Sequence, residues 1–515
     1  MMNDSFQVSK STLRQEAELF LTHIAILKDP YSVGRVLRDI RKNEVNAESA
    51  VVKQVDEFRK VIADIDDPHF RDCGGGLRDI ERRLIEKLIP RLQQPRNLEE
   101  SLIVVSSEVA PSDTVRLDTK KVLAFVTESG GRESHAAILA RSFGIPAMVG
   151  LSGLLSKINE GDTLVVNGCM GMVLLQPPPE VVLNYHELQK DYKVYQADLQ
   201  KTVSLPSTTL DERAIRLWAN VTGPHDLKYA LHLQAHGIGL FRTEVAFLTL
   251  GRILSEDEQF FMYQKIVSKA DGREVTIRTL DFGGDKAFDY EKRRKEKNSF
   301  LGYRSIRILL KEEDIFRQQL RAILRASAFG IVKIVFPMIS AIEEVRKAKV
   351  VLEHIKTQLL EEGVPFNENI SSGVMIEIPS AAIVADQLVR ETDFFAIGTN
   401  DLIQYPLAVN RDNELVNHLY QPLNPAVIRW IEHEVRVANG AGNQVIVCRE
   451  MAGSPACIPL LVGMGLTNPS MNPSVLLKAK RIIRNMAYRR WQALVETVMG
   501  LTSAEEITKF IAMQS

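Results

Sequence analysis

The chain has 515 residues, 45% hydrophobic and 25% charged, a composition typical of globular proteins. Its Lys and Arg residues (64) nearly balance its Asp and Glu residues (65), and the resulting net charge of −1 argues against nucleic acid or an anionic membrane as a partner. No apolar run approaches the ~20 residues of a membrane span. The four cysteines lack metal-ligand spacing, and the start of the sequence lacks an apolar signal region. We therefore expect a cytoplasmic protein.

The length predicts two or three domains, and the pattern of residues changes along the chain accordingly. Helical periodicity covers 13–27 as far as Pro30, then 49–65 and 77–92, which predicts a small helical subdomain over residues 1–95. Short β-rich runs follow at 102–105, 122–126, 163–167 and 172–175, so residues 96–179 are predicted to form a compact α/β unit. Three prolines at 177–179 end this unit, and the polar helical stretch 180–206 is predicted to be a linker.

From residue 207 to residue 515, β-like runs alternate with helical stretches. The eight runs are 215–221, 237–241, 275–280, 332–336, 373–376, 394–397, 445–447 and a weaker one at 469–471. This alternation predicts a parallel (β/α)₈ barrel. A doubly wound open sheet has the same periodicity and remains an alternative.

Polar residues stand where the predicted barrel strands end. They are Arg242 and Glu244 after the second strand, Arg278 and Asp281 at the third, Glu377 at the fifth, Asn400 and Asp401 after the sixth, and Cys448 at the seventh. Because the carboxyl ends of parallel strands meet at one mouth of a barrel, these side chains are predicted to converge there.

Four groups of residues suggest chemistry, and each has a simpler structural explanation. His135 follows the turn Gly130-Gly131 at the start of a predicted helix, where an anion is favoured, although a histidine there is more often a cap or core residue. A second group contains the cations Arg242, Arg278, Arg304, Arg411 and Lys286, which could bind phosphate and carboxylate or could form surface salt bridges. The third group is the pair Glu377 and Asp401, which could hold Mg²⁺ or could pair with the arginines. The fourth is Cys448, whose thiol could be an acid or a nucleophile or could simply be a small buried apolar group.

Several segments, taken together in chain order, resemble Enzyme I of the bacterial phosphoenolpyruvate:sugar phosphotransferase system. They are GGRESHAAILARSFGIPAMVG, GIGLFRTEVAFL, IRTLDFGGDK, FLGYRSIR, VFPMIS, GVMIEIPSAA, FFAIGTNDLIQYPLAVNRDN, HLYQP and LLVGMGL, with a weaker match in EAELFLTHIAILKDP. The resemblance implies a helical subdomain that docks the carrier protein HPr, a swivelling phosphohistidine domain, and a barrel that binds phosphoenolpyruvate and forms a homodimer.

The same resemblance implies a role for each candidate residue. His135 corresponds to the phosphorylated histidine, and Cys448 corresponds to the proton donor that yields pyruvate. The phosphoenolpyruvate-binding residues correspond to Arg242, Arg278, Asn400 and Arg411, and further members of that site to Arg304, Lys286 and Asp401. The Mg²⁺ ligands correspond to Glu377 and Asp401.

The chain departs from the family at three places. Arg449 stands where the family has glycine, Glu133 replaces a threonine, and the sequence begins late, so we expect the histidine-bearing half to be marginally stable. ATP-using dikinases and phosphoenolpyruvate synthases require a large ATP-binding domain that residues 1–95 cannot supply. A nitrogen-regulatory Enzyme I paralogue and a truncated, non-catalytic phosphoenolpyruvate-binding protein remain alternatives.

Overall fold

The computed structural model describes residues 30–43, 45–64, 84, 101–109, 121–130, 136–137, 140, 145–250, 252–283, 301–410, 413 and 415–514. The chain divides into two compact units, Met1–Tyr192 and Lys193–Ser515. The predicted helix over 77–92 lies outside the described residues except for position 84.

The described part of the first unit contains two helices, five strands and most of a third helix. These are α1 (Pro30–Asn43), α2 (Ala47–Asp64), β1 (Leu102–Ser106), β2 (Val122–Thr127), β3 (Ala147–Met148), β4 (Leu164–Asn167), β5 (Met172–Leu175) and α3 (Pro179–Lys201). Strands β1, β2 and β3 form a parallel sheet in which Phe125 is fully buried, and β4 pairs with β5 in an antiparallel hairpin. Helix α3 coincides with most of the predicted linker.

The second unit is built on eight parallel strands that close into a barrel in chain order. The strands are β6 (Trp218–Val221), β7 (Ile238–Arg242), β8 (Val275–Arg278), β9 (Val332–Phe336), β10 (Ser371–Ile376), β11 (Phe394–Gly398), β12 (Gln444–Cys448) and β13 (Asn468–Met471). The predicted α/β fold with a C-terminal (β/α)₈ barrel is therefore confirmed. Closure between β13 and β6 rules out the open sheet.

Helices follow most of these strands and cover the outside of the barrel. They are α4 (Pro224–His232), α5 (Glu244–Leu250), α6 (Glu256–Lys269), α7 (Ile306–Leu309), α8 (Glu313–Ser327), α9 (Ile342–Glu361), α10 (Pro379–Ile383), α11 (Ala385–Leu388), α12 (Thr399–Leu407), α13 (Pro425–Ala441), α14 (Glu450–Gly453), α15 (Ile458–Gly463), α16 (Leu476–Arg484), α17 (Tyr488–Gly500) and α18 (Ala504–Gln514). Within the described residues, no helix has both the length and the apolar character needed to cross a bilayer.

Strand side chains alternate between two separate apolar cores. The inner core contains Leu240, Val335, Met375, Phe394, Ala396, Ile446 and Cys448. The residues between them, such as Phe395 and Val447, belong to the larger core shared with the helices. Because successive side chains of a strand point to opposite faces, the small cluster fills the barrel and the large one surrounds it.

One carboxyl group lies inside the outer core. Glu434 is on the buried face of α13 between Ile431 and Ala438, and none of its surface is exposed. Neither of its carboxyl oxygens has a hydrogen-bond partner in the described part of the chain. Burial therefore raises the pKa of Glu434 well above its usual value of 4.5.

Replacing Glu434 with Met should stabilise the second unit by about 1–3 kcal/mol at pH 7, because a buried group without partners is removed. The raised pKa means that the folded state retains this proton when the unfolded state has lost it. The part of the destabilisation that comes from keeping Glu434 protonated is thus absent below about pH 4.5, grows as the pH rises from there, and levels off above the pKa of the folded state, whereas the cost of burying an unpartnered carboxyl group does not depend on pH.

Urea unfolding at pH 5, 6 and 7 measures this gain. Tryptophan fluorescence reports the second unit, because the three tryptophans of the chain are Trp218, Trp430 and Trp491. Glu432→Met, on the same helix but partly exposed beside Arg436, is the matched control and should change little. A gain that does not depend on pH would contradict the raised pKa.

Candidate active site at the barrel mouth

Two arginines end neighbouring barrel strands and share one carboxylate. Arg242 ends β7 and lies opposite Arg278, which ends β8. Arg242 Nε donates to Glu244 Oε1 at 3.1 Å, and Arg278 Nη2 donates to the same oxygen at 2.6 Å. Arg278 Nη2 also lies 3.0 Å from Asp281 Oδ2. Arg278 is completely buried, so its charge depends on these two carboxylates for compensation.

Arg304 joins two parts of the mouth that are separated in the barrel. It lies just before α7, and its Nε donates to Asp281 Oδ1 at 3.1 Å. Its Nη1 and Nη2 donate to Asp401 Oδ1 and Oδ2 at 3.3 and 3.5 Å. Burial alone would lower the pKa of Arg304, but the two carboxylates outweigh it and raise that pKa. Arg304 therefore remains a cation held between the end of β8 and the first turn of α12.

Glu377 lies directly after β10 and is fully buried. Its Oε1 accepts a hydrogen bond from Met338 N at 2.7 Å, whereas Oε2 has no partner among the described residues. The carboxyl group packs over Gly398, where an added Cβ would stand 2.5 Å from Oε2. Burial, followed by the neighbouring Asp401 and Asp281, raises the pKa of Glu377 to about 8.

This donor set fits a divalent cation. Glu377 offers an oxygen without a partner, and the Asp401 oxygens make only long contacts with Arg304. A bound cation would offset the carboxylate repulsion that raises the pKa of Glu377. Mg²⁺ commonly uses one or two protein carboxylates with substrate and water oxygens. No group of three or more His, Cys, Asp or Glu side chains within the described ranges could hold a metal alone.

Asn400 and Cys448 are the two remaining candidates that the structure describes at the mouth. Asn400 is 5% exposed, and its Oδ1 has no partner among the described residues. The hydroxyl of Thr399 donates to the Cys448 carbonyl at 2.9 Å, which ties β12 to the start of α12. The Cys448 Sγ lies 4.0 Å from the Gly239 carbonyl, and burial raises its pKa to about 12. The thiol is therefore protonated at neutral pH.

The structure brings together six of the seven described candidates through ion pairs, hydrogen bonds or electrostatic coupling, and places Asn400 next to Asp401. The six are Arg242, Arg278, Arg304, Glu377, Asp401 and Cys448. His135, Lys286 and Arg411 lie outside the described residues. Sequence analysis assigned no role to Glu244 or Asp281, which hold the arginines. Their position beside strand-end arginines was the available signal.

Comparison with known families accounts for most of the chain. Residues 196–488 match the phosphoenolpyruvate-binding domain of phosphoenolpyruvate-utilising enzymes, residues 98–171 their mobile domain and residues 3–72 their N-terminal domain. Relatives named phosphoenolpyruvate-protein phosphotransferase include one from Bacillus sp. (strain S), 39% identical over 96% of this chain and 86% of its own. The chain belongs to this family.

Two further relatives with the same name support the assignment. The Bacillus subtilis (strain 168) protein is 38% identical over 97% of this chain and 88% of its own length. The Staphylococcus carnosus (strain TM300) protein is 38% identical over 96% of this chain and 87% of its own. The resemblance to Enzyme I is thus confirmed, and the chain is an enzyme of the phosphoenolpyruvate-protein phosphotransferase class.

Proposed function

We propose that this enzyme transfers the phosphoryl group of phosphoenolpyruvate to His135 and then to a histidine of HPr, releasing pyruvate. This would be the first step of sugar uptake by the phosphotransferase system. The observation that best supports the proposal is the buried network at the barrel mouth, in which Arg242, Arg278 and Arg304 are fixed by carboxylates. Guanidinium groups held in this way suit a small substrate that carries both a phosphate and a carboxylate.

The residues at the mouth have distinct roles in the proposed reaction. Arg242, Arg278 and Arg304, with Arg411, Lys286 and Asn400, bind the substrate, and Arg304 also positions Asp401. A ring nitrogen of His135 forms the new bond to phosphorus as the bond to the enolate oxygen breaks, so catalysis consists mainly of positioning and charge stabilisation. The thiol of Cys448 then gives its proton to the methylene carbon of the enolate.

Glu377 and Asp401 would hold Mg²⁺, which would offset negative charge on the substrate's phosphate oxygens. The unpartnered Glu377 Oε2 supports this choice of ligands.

We assign a separate role in this reaction to each domain of the chain. Residues 1–95 would dock HPr, residues 96–179 would carry His135, and the helical linker 180–206 would connect them to the barrel, residues 207–515. A single histidine that serves two sites requires a domain that moves. The resemblance to Enzyme I supports a homodimer formed through the barrel. The described cysteines are all free thiols, which is consistent with a reducing cytoplasm.

His135→Ala should abolish acid-labile labelling of the protein by phosphoenolpyruvate carrying a labelled phosphate. Binding of phosphoenolpyruvate should remain, because the substrate-binding residues belong to the barrel. His354→Ala, an exposed histidine on α9, is the matched control and should label normally. Label retained by His135→Ala would contradict the assignment. A wild-type chain that binds phosphoenolpyruvate but never labels would instead favour the non-catalytic alternative.

Glu377→Gln and Asp401→Asn should each raise the Mg²⁺ concentration for half-maximal labelling about tenfold or more, because one carboxylate ligand is lost. Titration of Mg²⁺ in single-turnover labelling measures this. Glu434→Gln, which changes a buried carboxyl group of the outer core, serves as the control. Unchanged Mg²⁺ dependence in both site variants would place the metal elsewhere.

Cys448→Ala should slow formation of pyruvate by a factor of about 10²–10⁴ while phosphoenolpyruvate affinity changes little, because proton donation follows binding. Rapid-quench measurement of pyruvate and calorimetric measurement of binding separate the two effects. Cys457→Ala, which alters another buried thiol, should leave the rate nearly unchanged. A collapse in affinity with a preserved saturated rate would make Cys448 a structural residue.

A further inference from the structure

Arg449, which follows β12, has a backbone conformation that side chains rarely adopt. Its φ and ψ angles are 86° and −158°, in a region used almost only by glycine. An arginine at this position costs conformational free energy that glycine would not. A strained residue beside a candidate active site calls for a role that offsets this cost.

The side chain of Arg449 lies close enough to the charges of the mouth to interact with them electrostatically. The cations of Arg278 and Arg242 lower its pKa, after the larger effect of burial, while Asp401 and Glu244 oppose them. The Nε atom is buried and has no hydrogen-bond partner within the described residues.

The other described arginines of the mouth are all paired with carboxylates. Arg242 and Arg278 contact Glu244, and Arg304 contacts Asp281 and Asp401. Arg449, by contrast, forms no ion pair with any carboxylate that the structure describes. Among the described groups of the mouth, this partly buried guanidinium beside two other cations is therefore the one that most needs an anionic partner.

We propose that Arg449 is a substrate-binding residue that donates hydrogen bonds to a phosphate or carboxylate oxygen of the substrate. The inference rests on the proposed function and adds to it a binding residue at a position where the resemblance to Enzyme I implies glycine. An incoming anion would supply the missing acceptor and reduce the repulsion among the three arginines. The adjacent Cys448 would then lie close to a bound group of the same substrate.

Three substitutions in the full-length chain separate charge from backbone strain. Arg449→Gly removes the cation and accepts the backbone angles, Arg449→Gln removes the cation but retains the strain, and Arg449→Lys retains a cation without the planar fork. Calorimetric titration with phosphoenolpyruvate in the presence of Mg²⁺ measures affinity, and thermal unfolding without ligand measures stability. Arg436→Gln, an exposed arginine on α13, is the matched control.

We expect the Gly and Gln variants to bind phosphoenolpyruvate about tenfold more weakly or worse, since a charge-assisted hydrogen bond is lost. The Lys variant should lie between them and the wild type. Arg449→Gly should also unfold at a higher temperature than Arg449→Gln, so weaker binding would accompany a more stable protein. Wild-type affinity in either neutral variant would overturn the inference alone. A wild-type chain that does not bind phosphoenolpyruvate would overturn the proposed function as well.

Discussion

The arrangement of the barrel mouth depends on the guanidinium group of Arg304. Its fork reaches Asp281, just beyond β8, and Asp401, just beyond β11, so it connects strand ends that are not neighbours. Asp281 in turn contacts Arg278, which shares Glu244 with a further arginine. Removing one partner from such a buried pair costs about 3–5 kcal/mol, because the other charge remains uncompensated. Each group is therefore held in position by the rest, and fixed charges of this kind are what electrostatic catalysis requires.

Two fully buried carboxyl groups show that the neighbouring residues determine whether such a group is suited to bind a cation. Glu377 lies among charges, accepts a hydrogen bond from Met338 and has one oxygen directed at no described partner. Glu434 lies among apolar side chains and has no described partner for either oxygen. Burial raises the pKa of both. A nearby second carboxylate, Asp401, makes a cation a reasonable partner for Glu377, whereas no carboxylate in the described part of the chain influences Glu434 in this way.

Hydrophobic periodicity was sufficient to predict the eight barrel strands, and strand ends predicted most of the side chains that meet at the mouth. The first strand was predicted from Ile215 but begins at Trp218. Ile215 and Leu217 are buried, yet their backbone lies outside the strand ladder, and apolar character alone cannot distinguish these cases. The partnership of Arg304 with Asp281 and Asp401 was also beyond prediction, because Arg304 is not at a strand end.

The unusual backbone conformations at residues other than glycine could likewise not be predicted from the sequence. A positive φ is foreseeable at glycine but not at Arg449 or Met338, where the surrounding structure imposes it. The family resemblance supplied one hint, since it implies a glycine at the position of Arg449. It could not indicate that the arginine side chain would interact electrostatically with Arg242 and Arg278.

The surroundings of Cys448 distinguish between two chemical roles for its thiol. A nucleophilic cysteine requires a pKa near or below neutrality, which nearby cations or a helix N-terminus usually provide. Here burial dominates, and although Arg449 and Arg278 lower the pKa, it remains near 12. The thiolate is therefore scarce at neutral pH, which disfavours nucleophilic attack. A protonated thiol beside cations that stabilise its conjugate base is instead suited to giving its proton to a carbanion-like carbon, and this supports Cys448 as the acid in the proposed reaction.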